Sequence, residues 1–443
     1  MLSTLFIRLR RFTGHRAFIA LLDQGAVSIA SFGTGILLSR AFAGPRREQL
    51  GLYYLAVTIG VLIVEVQNAL ISTPHTVTAP TLAPEQRRRY NGSALIHHAV
   101  LSLGITVVIA LMALAAPAAG MASHAPMLLA TAVAAGAIAL RNFARFLNLA
   151  LHRTAIACLG DYVVTIIQLA GILWLDRAGW LSAWSAVGVI GLASLAGGAV
   201  ALLLSAREIC PELARAWTDF RANWRLSRWV FASGIIGNAG LSLYPWLIDR
   251  LSGSLQTAVW GNCSTVSSAS NPLMMGLQNW VAPQVSHAYA RQGGAAFRRY
   301  VFRAASLFLL ILPPTLGVLW LAAGPLLRHL YHDATPNAVP LVLLLASGSI
   351  VATMSFVISR GLYSCGRGEL DVWANVVPVI VLFAVGWPLV RHWGAVGGAI
   401  SLLAAQILGA VARVVLFGIV ACGPSQEQER ESAAAEVTAE AAA

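Results

Sequence analysis

Twelve apolar runs, nearly all of 20 residues or more, set the first constraint on this chain. An α-helix that crosses ~30 Å of hydrocarbon needs about 20 apolar residues at ~1.5 Å rise each. Runs bounded by arginines, Pro/Gly pairs and polar turns fall near 18–42, 51–78, 93–118, 126–150, 154–175, 180–205, 229–250, 256–284, 300–324, 338–362, 372–390 and 395–420. Backbone facing lipid must satisfy its own hydrogen bonds, so runs of this length read as helices. The expected fold is an all-α polytopic membrane protein with about 12 transmembrane helices. Composition agrees: 58% of residues are hydrophobic and 11% charged, whereas soluble chains carry roughly 25% charged residues. A water-soluble enzyme, a disordered regulator and a nucleic-acid-binding domain are excluded, and no nucleic-acid partner is expected in spite of the net charge of +12.

The charge reports orientation instead. All 30 basic residues are arginine. With the N-terminus in the cytoplasm, only Arg40, Arg46, Arg47, Arg177, Arg250, Arg328 and Arg391 lie on the outer side, and the other 23 lie inside. That asymmetry follows the positive-inside rule and puts both termini in the cytoplasm. The arginine excess thus serves topology and contact with membrane lipids. The outer loops are too short for a folded catalytic domain. Cys158, Cys210, Cys263, Cys365 and Cys422 have no metal-ligand spacing, His97-His98 has no partner ligands, and there is no Walker A loop. The reading is a non-enzyme with no catalytic residue, no metal and no cofactor.

The longest connection, 206–228, is basic and divides the chain near its midpoint. The organisation read from this is an N-terminal in-plane amphipathic segment (1–17), a six-helix bundle (18–205), a cytoplasmic linker (206–228), a second six-helix bundle (229–420) and a disordered acidic tail (421–443). The halves share local patterns at a nearly constant offset. Gly44 matches Gly253, Gln67-Asn68 matches Gln278-Asn279, and Arg88-Arg89-Tyr90 matches Arg298-Arg299-Tyr300. Six helices is an even number, so the two bundles have the same orientation, the plan of an alternating-access transporter.

Polar groups within the spans are the candidate site, because ionisable groups in hydrocarbon are costly and normally face a bundle interior or an aqueous cavity. Gln24, Ser28, Ser31 and Gly35 share one face of the first span, and Glu65, Asn68, Ser72 and His75 share a flank of the second. Arg141, Arg145, Asn148 and His152 form a stripe on the fourth. The eighth carries Asn262 and Asn271 in a polar run that ends at Pro272, a candidate kink like Pro313-Pro314 in the ninth. Depth matching across the spans pairs Arg145 with Asp161 and Arg141 with Glu65. Two roles remain open. The arginines either serve in structural ion pairs or, with Asn148, form a phosphate clamp, since guanidinium binds phosphate bidentately and keeps its charge. Asp23, Glu65 and Asp161 are the candidate coupling or ion-pair carboxylates. Gln24, Ser28, Asn68, Asn262 and Asn271 are candidate cavity-lining groups.

The segment LLDQGAVSIASFGTGILLSRAFAGPRREQLGLYYLAV (21–57), followed by VQNALISTPHTVTAP (66–80), resembles the opening helices of bacterial polysaccharide and O-antigen flippases. GNCSTVSSASNPLMMGLQNWVAPQVSHAYARQG (261–293) resembles their eighth helix and the loop after it. These proteins form part of the multidrug/oligosaccharidyl-lipid/polysaccharide exporter superfamily, with the MATE drug antiporters. The resemblance implies a MATE-like architecture of two like-oriented six-helix bundles in the bacterial inner membrane. It implies a secondary transporter that flips polyprenyl-diphosphate-linked oligosaccharide repeat units outward for polysaccharide or O-antigen export, with polymerase or export proteins as pathway partners. A small-molecule (drug or cation) antiporter of the same superfamily is the alternative, followed by a membrane-embedded glycan polymerase or acyltransferase.

Overall fold

The structure, a computed structural model, describes residues 2–271, 274, 278, 281, 285, 294–331 and 338–420. Among these no strand occurs. The first helix, α1, runs Leu2–Ala41. The rod α2 comprises Arg47–Gln67, a π-helical turn Asn68–Ser72, and Thr73–Thr78. Then follow α3 (Pro84–Ala115), α4 (Ala125–Ala150), α5 (Thr154–Arg177), α6 (Ala183–Leu204), α7 (Leu213–Ser252) and α8 (Ser254–Ser267). After these come α9 (Gly294–Pro325) and α10 (Ala338–Ser364). Rod α11 starts as Gly368–Val381, passes a π-helical turn Leu382–Gly386 and ends where Gly394 (φ 54) breaks it, and α12 covers 395–420.

As far as its residues are described, each of the twelve runs falls on a helix, and the differences are at the ends. Residues 213–228 are helical and continuous with the seventh span, so α7 is 40 residues long. Pro313 and Pro314 sit inside α9 without ending it. The Pro272 break, the acidic tail 421–443 and the side chains of the segment 1–17 lie outside the described residues. Seven helical stretches among the described residues are long and apolar enough to cross a membrane, and one of them, Gly368–Ile419, holds both α11 and α12. Leu103, Leu114, Val133, Ile166 and Leu203 are exposed on these helices, as an outward face in contact with lipid requires.

Backbone packing groups the chain into two compact units, Met1–Thr265 with Leu327–Thr335, and Val266–Leu326 with Pro336–Ala443. In the first, α4 lies along α6 and α3, α1 lies along α5, and α2 packs on α4 and α7. Its core joins Leu38, Phe42, Leu50, Leu55, Met127 and Ile172. Within the second, α10 packs on α9 and α12, around Phe297, Val301, Ile350, Val357 and Phe417. The Phe417 ring there meets both Phe297 and Phe302 edge-on at 5.8 Å.

Small residues set how closely these helices approach, since apolar side chains gain little from leaving lipid and contact must come from packing. A Cβ at Gly198 of α6 would stand 2.9 Å from the Arg141 amide nitrogen, so α6 touches the backbone of α4 where the arginines begin. A Cβ at Gly261 of α8 would collide with the ring of Tyr54. Gly44 and Gly253, paired by the repeat, both adopt left-handed backbone (φ 66 and φ 85) in the turns after α1 and α7. The α6 N-terminus carries a reciprocal cap, with Ser182 Oγ accepting from Ser185 N at 3.2 Å and Ser185 Oγ accepting from Ser182 N at 2.9 Å.

Gly261→Ala should cost about 1–3 kcal/mol, the usual penalty for overpacking a tight contact. Gly60→Ala, where a Cβ meets nothing within 4 Å, should be neutral or stabilise by up to about 1 kcal/mol. Thermal unfolding of the two purified variants in detergent checks the contrast. Equal midpoints would refute the close approach at Gly261.

Candidate substrate and coupling site

Four charged side chains from three helices meet inside the first unit. Asp23 comes from α1, Arg141 and Arg145 from adjacent turns of α4, and Asp161 from α5. The helices are pinned side by side near them. Thr165 Oγ1 of α5 donates to Ala26 O of α1 at 3.1 Å, and Gln168 Nε2 donates to Thr34 Oγ1 at 2.7 Å. Asn148, one turn beyond Arg145, is fully buried. Its Nδ2 donates to Ala144 O at 2.8 Å and Ala201 O at 3.4 Å, and its Oδ1 accepts from Ser205 Oγ at 2.6 Å. Asn148 thus fastens α4 to α6 at the level of the cluster.

Asp161 is the hub. Its Oδ1 accepts from Arg141 Nε at 2.9 Å and Nη2 at 2.6 Å. Its Oδ2 stands 2.8 Å from Arg145 Nε without being aligned as a hydrogen bond. Arg145 Nη2 reaches Asp23 Oδ2 at 2.5 Å. The exposures decide which groups a ligand can meet. Arg141 and Arg145 side chains are 26% and 27% exposed, Asp161 2% and Asp23 10%. The arginine side chains keep about a quarter of their surface exposed, and the carboxylates are covered. The cluster is formally neutral, which is how four charges persist in a low-dielectric setting. Among the described residues, Asp23 Oδ1 and Asp161 Oδ2 are buried and accept no hydrogen bond.

Not every expected partner is in place. Arg141 pairs with Asp161 and not with Glu65, because depth along a span carries no information about direction around it. Glu65 is half-buried on α2 and, among the described residues, makes no hydrogen bond or ion pair. Asn68 accepts from Asn142 Nδ2 at 2.9 Å, which joins α2 to α4 beside Arg141. Asn142 lies about 100° around the helix from Arg141, outside the stripe that marked the site. Gln24 and Ser28 are half-buried on α1, and Asn271 is exposed. His152 does not extend the α4 stripe: it is the exposed left-handed residue (φ 58) that ends the helix, with Arg153 N bonded back to Asn148 O at 2.8 Å.

Asn262 belongs to a separate buried network in the same unit. Tyr54 OH donates to Asn262 Oδ1 at 3.0 Å, Asn262 Nδ2 to Ser39 Oγ at 3.1 Å, and Ser39 Oγ to Tyr331 O at 2.5 Å. Nearby, Arg40 Nη2 donates to His329 O at 3.0 Å. Nothing in the spacing of Ser39 and Tyr54 marks them in the sequence. The second unit holds its own buried cation. Arg413 Nε bonds Asp371 Oδ1 at 2.8 Å, Nη1 bonds Ser355 Oγ at 2.9 Å, and Nη2 bonds Asn375. Asp371 therefore lies in the first turn of α11 and not in a loop, since that helix begins at Gly368.

No protein-family model matches the sequence, and neither does any curated protein. Solved structures do match in fold. An inward-facing MATE-family multidrug resistance transporter of the MOP superfamily gives a TM-score of 0.72 at 13% identity, covering 89% of this chain and 94% of that one. The lipid II flippase MurJ, in an inward closed conformation, gives 0.70 at 13% identity over 90% of this chain and 87% of that one. A MOP superfamily transporter from Pyrococcus furiosus, described by the reverse polarity of its binding pocket, gives 0.60 at 12% identity over 91% and 94%. The chain has the MATE-like fold along nearly its whole length.

Asp161→Asn removes the shared counter-charge of two arginines and should lower stability by about 1–3 kcal/mol, less than for a fully buried pair because the arginine ends are partly solvated. Asp23→Asn, which serves one arginine, should cost less. Thermal unfolding midpoints rank the two, and the reverse order would contradict Asp161 as hub.

Proposed function

We propose that this chain is a secondary transporter of the bacterial inner membrane that flips polyprenyl-diphosphate-linked oligosaccharide units outward by alternating access, for polysaccharide or O-antigen assembly. One observation carries the reading: two arginines on one face of a membrane helix, their side chains a quarter exposed and their counter-charges buried. Such a pair offers a diphosphate bidentate hydrogen bonds at fixed positive charge. The fold shared with a lipid II flippase and with MATE transporters supports it. Polymerase and export proteins would be its pathway partners and consume what it delivers.

The charge balance determines how binding proceeds. With both aspartates ionised the arginines are already neutralised, so a diphosphate must displace a carboxylate. A displaced aspartate is left buried without a counter-charge, and taking up a proton relieves that cost. Phosphate and proton therefore bind together. Each proton taken up lessens the negative charge that crosses, and what remains is driven outward by an inside-negative potential, at about 2.3 kcal/mol per charge per 100 mV. Glu65 supports a second reading. A half-buried carboxylate without an ion pair suits a cationic substrate, which would make the chain a drug or cation antiporter.

Deletion should make lipid-linked repeat units accumulate on the cytoplasmic leaflet while polymerase activity in isolated membranes stays intact. The quadruple variant R141Q/R145Q/D23N/D161N keeps the net charge, removes the clamp and should reproduce that accumulation at normal protein level. Full export by that variant would overturn the clamp. Unchanged intermediates on deletion, with loss of resistance to cationic compounds, would favour the antiporter.

A further inference from the structure

At ~1.5 Å per residue the 40 residues of α7 extend about 60 Å, twice the hydrocarbon thickness. Its first four turns, 213–228, are thus not needed to cross. They are held instead against the start of α3. His97 Nε2 donates to Ala216 O at 2.8 Å, the His97 ring meets Phe220 at 5.7 Å, and Tyr90 OH donates to Asn223 Oδ1 at 2.8 Å. The apolar run of α3 begins near residue 93. His97 and Tyr90 bracket that point, so the segment lies along the inner boundary between hydrocarbon and headgroups.

The segment has two unlike flanks. Ala216, Asn223 and Ser227 are buried against the protein. At 100° per residue, Leu213, Trp217, Arg221, Trp224 and Arg228 fall within about 80° of one another, centred about 100° around the helix from the buried residues. Leu213 is 82% exposed, Trp217 60% and Trp224 43%. The Arg221 guanidinium lies 5.0 Å from the centre of the Trp217 ring. Trp217 stacks on Phe220 at 5.7 Å, and Phe220 on Trp224 at 6.3 Å. The acidic residue in these turns, Asp219, is on another face and bonds Arg215 at 3.2 Å. Among the described residues no carboxylate pairs with Arg221 or Arg228.

We propose that this flank is a binding site for an anionic phospholipid of the inner leaflet, with Arg221 and Arg228 on the headgroup phosphate and Trp217 and Trp224 at its glycerol level. Tryptophan rings favour that depth. Two guanidinium groups about two turns apart on one flank, with no carboxylate partner among the described residues, complement a negative surface, and a neutral headgroup leaves their charge unanswered. The site is separate from the Arg141/Arg145 cluster and does not depend on what the chain transports.

A photo-crosslinking residue placed at Leu213 tests this in the full-length protein, reconstituted in bilayers of equal parts phosphatidylglycerol and phosphatidylcholine. Mass spectrometry of the adducts should show phosphatidylglycerol enriched about five-fold or more, and R221Q/R228Q should bring the ratio to that of the bilayer. Both arginine side chains are exposed. Should the double variant fail to accumulate, each single variant is expected at an intermediate ratio. Lipid adducts at the bilayer ratio in the native protein, enrichment that survives R221Q/R228Q, or no lipid adduct would each overturn the site.

Discussion

Asp161 holds the first unit's charge together. Without it Arg145 would keep Asp23 but Arg141 would have no carboxylate, in surroundings where an unpaired charge is expelled or neutralised. With it, α4 and α5 are joined by Arg141 and Arg145, and Asp23 brings α1 to the same point. The packing around the cluster follows this demand. Gly198 lets α6 onto the backbone of Arg141, Asn148 ties α4 to α6, and Thr165 and Gln168 hold α1 along α5. The packing of the helices and the pairing of the charges support one another.

The two units treat a buried arginine differently. Arg413 is enclosed, and Asp371, Asn375 and Ser355 use three of its donors. That is the pattern of a fastening between helices. Arg141 and Arg145 keep a quarter of their surface open, and two carboxylate oxygens beside them accept no hydrogen bond. Unused capacity on both donors and acceptors is what the proposed exchange of phosphate and protons would draw on.

Most of the architecture is legible in the chain because hydrocarbon imposes one length and one periodicity on every span. The same reasoning finds Arg141, Arg145, Asp23 and Asp161, since a charge inside a span is conspicuous against 58% hydrophobic residues. Pairing is less legible. Depth can be counted from a helix end, but direction around the helix depends on crossing geometry, so Arg141 faces Asp161 while Glu65 at matching depth makes no ion pair among the described residues. Helix ends also mislead. His152 keeps the right spacing yet ends α4 in a left-handed turn, and Asp371, just before the apolar run 372–390, already belongs to the first turn of α11. Tyr54 and Ser39 carry no signal at all, because a buried hydroxyl acquires its role only from the partner that meets it.

If phosphate and proton bind together at one neutral cluster, ligand binding must take protons from solution. The most direct test is a proton balance: purified protein in weakly buffered detergent at neutral pH, titrated with a polyprenyl diphosphate while the pH is followed. Uptake approaching one proton per lipid bound, abolished in R141Q/R145Q/D23N/D161N, is the predicted result. Binding with no proton exchange, or with proton release, would contradict it.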